Sequence, residues 1–209
     1  MRIKYPRTMH LPWSNPSSDD KVIKSLEFFE GQDIVVTEKM DGENTTMYCD
    51  FIHARSLEYA RGDDRGFVKS LQAQIGYKIP DGWRICGENL YAKHSIHYNN
   101  LPSFFLVFSV WDENNVCLSW DKTVDFAKSL DLQMVPVLYR GEWNEKVVRS
   151  LYKEGTEGYV VRRSDSFHYD EFQNCVAKYV RANHVTTDKH WRHTQIIPNQ
   201  LREQNLPVF

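Results

Sequence analysis

Residues 34–42 read Ile34-Val35-Val36-Thr37-Glu38-Lys39-Met40-Asp41-Gly42, a short β-branched run that leads through a lysine into a turn. The β-branched residues predict a strand, and Asp41 with Gly42 predicts the turn that ends it. A lysine in a partly desolvated pocket beside other cations can lose its proton near neutrality and become a nucleophile. Gly42 lets the backbone approach a ligand closely. The pattern Lys-x-Asp-Gly alone is weak, because it occurs often by chance.

Charged residues recur at the ends of apolar runs or inside them. Two of these charged residues are basic and two are acidic: Lys39, Lys178, Glu88 and Glu157. A strand buried on one face tolerates one such charge facing solvent, so each residue alone is equally well explained as a solvated position. The set of four favours a shared cleft in which the charges face each other.

Strands outnumber helices in the pattern of apolar residues. Strands are predicted at 34–37, 45–52, 83–86, 104–110, 135–139, 159–161 and 176–180. Helices are predicted at 67–75, 120–130 and 144–152, and at the N-terminus from Asp19, capped by Ser17 or Ser18, to Gly31. Several neighbouring strands are joined by short turns. The pattern therefore predicts an α+β fold of largely antiparallel sheets with flanking helices rather than a doubly wound parallel sheet.

The composition is that of an ordinary globular protein. The 209 residues fit one large domain or at most two small ones, and 41% are hydrophobic. The net charge of −2 excludes a generally basic nucleic-acid coat but leaves room for a local basic groove. No apolar run is long enough for a membrane span, and residues 1–20 lack a secretory apolar segment. The four cysteines lack a CxxC spacing, which favours reduced thiols in a cytoplasmic protein.

Six segments follow one another in an order that resembles the covalent nucleotidyltransferase superfamily of ATP-dependent RNA ligases, DNA ligases and mRNA capping enzymes. The matching segments are Lys39–Gly42, Arg55-Ser56, Gly87–Tyr91, Phe108, Glu157–Val161 and Val176–Arg181. The Gly-Glu-x-x-Tyr-like third segment and the 20 residues from Glu88 to Phe108 make the chain most similar to small RNA ligases of the phage T4 RNA ligase 2 type.

The resemblance implies a reaction and a nucleophile. Lys39 would attack the α-phosphate of ATP, form a lysyl–AMP phosphoramidate and expel pyrophosphate. AMP would then pass to a 5′-phosphate, and a 3′-hydroxyl would attack the activated end. The implied activity is ATP-dependent joining of RNA ends, or DNA ends, in cytoplasmic RNA repair. The alternatives are a GTP-dependent capping-type guanylyltransferase or a DNA ligase, and a non-catalytic nucleotide- or RNA-binding relative.

The resemblance also implies roles for the other site residues. Arg55 and Glu88 would hold the ribose and the α-phosphate region, and Lys178 would contact the α-phosphate. Phe108 would stack on adenine, and Glu157 would bind Mg²⁺ or Mn²⁺. Further nucleotide-binding residues would be Glu38, which would face the base or the metal, together with Asp41, Gly42 and Arg181.

Each assignment has a plainer alternative. Arg55 could be a surface arginine paired with Glu58, Phe108 ordinary core, and Lys178 a solvated strand lysine. The superfamily usually has a second basic residue two places after the first in its last segment. Here Val180 stands at that position and Arg181 follows it.

The C-terminal residues carry the remaining expectations. We expect one adenylyltransferase domain over 1–209, with a lead-in and helix over 1–30, a catalytic core over 31–181 and a short tail over 182–209. A second C-terminal domain would not fit, so a partner protein would supply the substrate clamp. The tail holds His184, His190 and His193. A tail packed on the domain is favoured over phosphate contacts and over zinc, and His94 with His97 is an equally weak zinc signal.

Overall fold

The computed structural model describes residues 2–17, 20–57, 62–182 and 196–203. Within these ranges the twelve strands are, in chain order, β1 (Met9–His10), β2 (Asp33–Glu38), β3 (Glu43–Met47), β4 (Ile52–Ala54), β5 (Arg84–Asn89), β6 (Phe105–Trp111), β7 (Val116–Cys117), β8 (Gln133–Met134), β9 (Val137–Glu142), β10 (Gly158–Arg163), β11 (Phe167–His168) and β12 (Val176–Val180). The α-helices are α1 (Gly66–Ile75), α2 (Trp120–Ser129) and α3 (Glu145–Arg149). Short 3₁₀ turns lie at Glu27–Phe29, Asp63–Arg65, Gly76–Lys78 and Tyr169–Asn174.

The strands form two sheets. The first has five strands in the order β1-β12-β10-β2-β9, and the second has the order β11-β7-β6-β5-β3-β4 with β8 beside β6. All pairs are antiparallel except β1 with β12 and β6 with β8. The predicted α+β class with largely antiparallel sheets is confirmed.

The strand β2 lies between β10 and β9 in the first sheet and is covered on both faces. Ile34, Val35 and Val36 are fully buried. Ile34 and Val36 pack in one apolar cluster, whereas Val35 packs in another on the opposite face. A strand covered on both faces reads as a continuous apolar run rather than an alternating one, which explains the sequence at 34–36.

The helices begin and end where local chemistry allows. The Ser119 side chain accepts a hydrogen bond from the Lys122 amide at 3.4 Å and caps α2, and Asn144 caps α3 in the same way at 3.2 Å. The predicted helices at 67–75 and 120–130 are confirmed to within one or two residues. The helix predicted at 144–152 is shorter, because α3 ends at Arg149.

The helix predicted from Asp19 to Gly31 is wrong over the described residues 20–31. The chain there pairs with β1 instead. The backbone amide of His10 donates to the Lys21 carbonyl at 2.8 Å, and the backbone amide of Ile23 donates to the His10 carbonyl at 2.9 Å. Only the 3₁₀ turn Glu27–Phe29 is helical. Long-range backbone pairing therefore overrides the helical spacing of the apolar residues.

The single strand predicted at 45–52 is also wrong. β3 ends at Met47, a turn closed by the Tyr48 amide and the Phe51 carbonyl at 2.7 Å follows, and β4 begins at Ile52. The strand predicted at 135–139 begins later, at Val137, because Pro136 has no amide hydrogen to donate to the sheet.

The remaining predictions concern cysteines and membranes. Cys49, Cys86, Cys117 and Cys175 are all free, and the last three are buried, which agrees with the predicted reduced thiols. None of the helices in the described ranges combines the length and apolar character that a membrane span requires.

Candidate active site

A cavity of about 240 Å³ is lined by residues of both sheets and of the N-terminal segment. Backbone pairing brings its charged wall together. Lys39 donates its amide hydrogen to the Gly158 carbonyl at 3.0 Å, and Val160 of β10 pairs with Lys178 of β12. The ends of β2 and β10 and the middle of β12 thus meet at one place, although their residues lie far apart in sequence.

The closest charged contact in the site joins Lys39 to Glu157. Lys39 Nζ lies 2.6 Å from Glu157 Oε2, and Glu157 is only 7% exposed. Burial alone would lower the pKa of Lys39, but Glu157, Glu88 and Asp41 raise it, and the net shift is upward. The expected depression of the Lys39 pKa is therefore wrong for this arrangement, because carboxylates rather than cations face the ammonium group.

Glu88 lines the cavity, whereas Glu157 is not on the cavity wall and is tied to it through its contact with Lys39. Burial raises the pKa of Glu88 to about 8; Lys39 opposes this rise and Glu157 adds to it. Glu88 and Glu157 are thus close enough to repel each other, and a cation between them would relieve that repulsion. Hard carboxylate oxygens suit Mg²⁺ or Mn²⁺, with phosphate oxygens and water completing the shell. Glu88 and Glu157 therefore supply part of the ligand set that a divalent ion requires.

Lys178 faces the same cavity from β12. Burial lowers the pKa of Lys178, Asp20 raises it, and Lys39 and Arg55 lower it further; the net shift is downward. Lys178 Nζ lies 3.9 Å from Asp20 Oδ1. Lys178 is therefore a partly buried cation rather than the solvated strand lysine of the plainer alternative.

Asp20 was not found by sequence reasoning, although it contacts several groups around Lys178. Its carboxylate lies 3.2 Å from Arg7 Nη2, 3.2 Å from His10 Nε2 and 2.7 Å from the donating Ser17 hydroxyl. Burial alone would raise the pKa of Asp20, but Ser17 and then Lys178, Arg7 and His10 lower it well below its usual range. Asp20 thereby ties the N-terminal segment to β12.

Phe108 and Arg55 lie on the cavity wall in different environments. Phe108 is half-buried, and its ring centroid lies 5.3 Å from that of Tyr5 at an interplanar angle of 72°. Phe108 therefore packs with core residues and also presents a surface to the cavity, so the core alternative describes only part of its environment. Arg55 is exposed and lines the cavity from the end of β4. Its expected partner Glu58 lies outside the described residues.

Gly42 is required by a close approach of backbone. A Cβ atom added at Gly42 would lie 2.4 Å from the carbonyl oxygen of Asn89 and 3.1 Å from Glu88 Cγ. No side chain fits there without movement of the turn or of β5. The glycine thus sets the spacing between the lysine-bearing turn and Glu88.

Of the other predicted site residues, Glu38 lies on the cavity wall and Asp41 does not. Glu38 lines the cavity, and burial raises its pKa while Lys153 opposes the rise. Asp41 is not on the cavity wall: its carboxylate accepts from the Ser95 amide at 2.8 Å, from the Ser95 hydroxyl at 2.7 Å and from the Ile96 amide at 2.7 Å. Asp41 therefore fixes the loop after β5.

Arg181 is not on the cavity wall either. Its backbone amide donates to the Glu157 carbonyl at 3.0 Å, so its main chain supports Glu157. The role proposed for its side chain in the last segment stays a prediction.

The cavity has further polar wall residues that sequence reasoning missed: Tyr5, Thr8, Thr37, Asn44, Ser109 and Arg162. The alternation of side chains along β10 is a signal that was available for Arg162, because it places Arg162 on the same face as Val160. Nothing comparable was available for Tyr5, since its position depends on the path of the N-terminal segment across the sheet.

The histidine signals do not form a metal site in the described part of the chain. His97 Nε2 lies 3.3 Å from the Pro198 carbonyl, and no group of three or more His, Cys, Asp or Glu side chains in those ranges could hold a metal ion. The tail residues His184, His190 and His193 lie outside the described residues.

The two largely antiparallel sheets around a cavity with a lysine–carboxylate pair are those of a nucleotidyltransferase. The chain belongs to the RNA ligase family, which matches residues 32–180. A comparison with curated proteins finds no match.

Solved structures with the same fold are of a Naegleria gruberi RNA ligase. The structure with PPi is 21% identical with a TM-score of 0.55, and the match covers 77% of this chain and 53% of that one. A point mutant with ATP and Mn is 21% identical with a TM-score of 0.52, covering 74% and 51%. A mutant with AMP and Mn is 19% identical with a TM-score of 0.53, covering 86% and 62%. The chain thus spans about half the length of the first two.

Proposed function

We propose that this chain is an ATP-dependent RNA ligase that becomes adenylated on Lys39. The observation that carries the proposal is the convergence of Lys39, Glu88 and Lys178 on one cavity whose wall includes the aromatic ring of Phe108, with Glu157 paired to Lys39 at 2.6 Å. Membership of the RNA ligase family and the ATP, AMP and Mn in the solved Naegleria structures support it.

The first step forms a bond between Lys39 Nζ and the α-phosphorus of ATP and breaks the bond from that phosphorus to the bridging oxygen of pyrophosphate. The lysine must lose a proton first, because only its lone pair attacks. Glu157 accepts the hydrogen bond of the ammonium group at 2.6 Å and would take that proton, so that the lone pair of Nζ can attack. Lys178 would neutralise charge on the α-phosphate as the transition state forms.

A divalent cation held by Glu157 and Glu88 would supply further neutralisation of phosphate charge. The side chains themselves position the nucleotide. Phe108 offers a flat face to the base, and Arg55 contributes a cation at the exposed mouth of the cavity. Positioning and charge neutralisation supply most of the rate in phosphoryl transfer, so we expect these residues to support adenylation together with the divalent ion.

The later steps concern the nucleic acid. AMP would pass from Lys39 to a 5′-phosphate, and a 3′-hydroxyl would attack that phosphate and release AMP. RNA ends are the proposed substrate on the ground of family membership. Joining of DNA ends, a partner protein that supplies a clamp and a cytoplasmic role in RNA repair stay predictions.

The test uses two labelled nucleotides and one labelled RNA. The protein is incubated with α-labelled ATP or GTP and a divalent ion, and covalent label is followed on denaturing gels. We expect label from ATP and none with Lys39→Ala. A chase with 5′-phosphorylated RNA should move the label from protein to RNA before joining. Label from GTP alone would replace the proposal with a guanylyltransferase, and nucleotide binding without label would replace it with a non-catalytic binder.

A further inference from the structure

Residues 196–202 lie along the irregular loop that follows β5. In this loop, the described residues 91–100 belong to no helix and to no strand of the two sheets. Backbone pairing joins the two segments: the Lys93 amide donates to the Ile197 carbonyl at 2.8 Å, and further backbone pairs follow along both segments. An irregular loop depends on such contacts for its shape, because it lacks the hydrogen-bond ladder of a sheet.

Asn199 closes this loop with its side chain. The residue is 3% exposed. Its Nδ2 donates to the Leu90 carbonyl at 2.8 Å and to the Ala92 carbonyl at 3.3 Å, at the start of the loop. Its Oδ1 accepts from the Tyr98 amide at 2.8 Å, near the end of the loop. One buried side chain thus holds both ends of the loop by pairing with backbone groups that would be costly to leave unpaired.

The closed loop in turn holds Asp41. The Asp41 carboxylate accepts from the Ser95 amide, the Ser95 hydroxyl and the Ile96 amide at 2.8, 2.7 and 2.7 Å. The Asp41 amide donates to the Tyr98 hydroxyl at 2.9 Å. Asp41 lies two residues after Lys39 in the same turn. The position of the lysine therefore depends on the shape of the loop.

We propose that Asn199 is a positioning residue for adenylation, because by closing the loop after β5 it fixes the turn that carries Lys39. This inference rests on the proposed function, since it takes the reaction of Lys39 with ATP as given. Asn199 itself lies outside the cavity wall and acts through Tyr98 and Asp41. A displacement of about 1 Å at a reacting centre can reduce the rate about 100-fold.

A purely stabilising role for residues 196–202 gives a different expectation. Substitution of Asn199 would then lower the free energy of unfolding and leave the rate of the folded protein unchanged. The positioning role predicts a lower maximal rate instead. It also predicts little change in the ATP concentration that gives half the maximal rate, because Phe108 and Lys178 lie in strands β6 and β12 rather than in the loop.

The test measures lysyl–AMP formation in single turnovers over a range of ATP concentrations, at a temperature where each variant is folded. We expect Asn199→Ala to lower the maximal rate about 10-fold to 100-fold and to change the half-saturating ATP concentration less than about threefold. Gln200→Ala is the matched control, because Gln200 is exposed and its backbone amide makes the contact, to the Tyr98 carbonyl at 2.8 Å. A parental maximal rate in Asn199→Ala, or an equal loss in Gln200→Ala, would overturn the inference.

The variant Tyr98→Phe tests the route from Asn199 to the turn. It removes the hydroxyl that accepts from the Asp41 amide but keeps the backbone amide that donates to Asn199. We expect it to lower the maximal rate about 10-fold. Adding Asn199→Ala to Tyr98→Phe should then cost less than it does in the parent, because both changes act on the same turn. Effects that simply multiply would overturn the inference.

A measurement on the parent protein decides the question even where Asn199→Ala does not fold. Amide hydrogen exchange followed by NMR compares the Asp41 and Tyr98 amides. Because the loop should open as one unit, we expect their protection factors to agree within about tenfold, and a larger difference would overturn the inference. A parent that forms no lysyl–AMP adduct would overturn the proposed function and this inference with it. An adduct formed by Asn199→Ala at the parental rate would overturn this inference alone.

Discussion

Gly42→Ala tests whether the close approach between the lysine-bearing turn and β5 positions the reacting groups. The added Cβ would lie 2.4 Å from the Asn89 carbonyl oxygen, whereas ordinary contact begins at 3.4 Å, so the turn or the strand end must move by about 1.0 Å. Glu88 immediately precedes Asn89, and Lys39 lies three residues before Gly42. A displacement of about 1 Å at a reacting centre can reduce the rate about 100-fold, equivalent to about 2.7 kcal/mol of barrier.

The assay follows formation of the covalent adduct under single-turnover conditions, together with unfolding in denaturant. We expect adenylation by Gly42→Ala to fall about 100-fold while the free energy of unfolding falls by about 1–3 kcal/mol, the usual cost of overpacking. Gly66→Ala is the matched control, because Gly66 opens α1 and an added Cβ meets nothing within 4 Å. A parental rate for Gly42→Ala, or an equal loss in Gly66→Ala, would refute the positioning argument.

Variants at three further positions test other parts of the site. Phe108→Ala should raise KM for ATP, because about 1–3 kcal/mol of stacking on the base is lost. Phe108→Leu should also be impaired. A Leu variant that matches the parent in steady-state kinetics would show that Phe108 is only a core residue. Glu157→Gln removes a charge but keeps the shape of the side chain, so the rate of adenylation should fall sharply. Excess EDTA should stop adenylation by the parent protein, and activity that survives chelation would exclude a mechanism that needs a divalent ion. Asp20→Asn should lower the free energy of unfolding by about 1–3 kcal/mol at neutral pH. Because Ser17 and neighbouring cations lower the pKa of Asp20, the stability that its ionised form contributes is present above the unfolded-state pKa of about 4 and is lost progressively as pH falls towards the lower pKa of the folded state. The denaturant melts of parent and variant should therefore approach each other as pH falls below about 4; a difference independent of pH would contradict this.

The sequence alone predicted the strands that local residue types determine. The β-branched run 34–37 and the apolar runs at 104–110 and 176–180 lie in strands to within one residue. The N-terminal helix failed because pairing of residues 21–23 with His10 is a long-range contact that periodicity does not reveal. The strand at 45–52 failed because the turn closed by Tyr48 and Phe51 lacks the usual Gly or Asn-Gly signal.

Sequence reasoning found the charged residues that lie at the cavity wall or contact it. Lys39, Glu88, Glu157 and Lys178 all line the cavity or contact a residue that does. Asp20 could not be found, because its effect on Lys178 depends on the path of the N-terminal segment. The direction of the Lys39 pKa shift could not be predicted from sequence, because it depends on the distances from Nζ to the surrounding charges, which sequence order does not contain.

The central claim is that Lys39 carries AMP after reaction with ATP, and peptide mapping by mass spectrometry tests it most directly. The protein is incubated with ATP and a divalent ion, digested under neutral conditions that preserve the phosphoramidate, and the modified residue is located by fragmentation. The account predicts AMP on the peptide that contains Lys39, release of pyrophosphate in equal amount, and loss of the adduct on addition of 5′-phosphorylated RNA. AMP on another residue, or ATP-dependent joining of RNA without any adduct on Lys39, would contradict it.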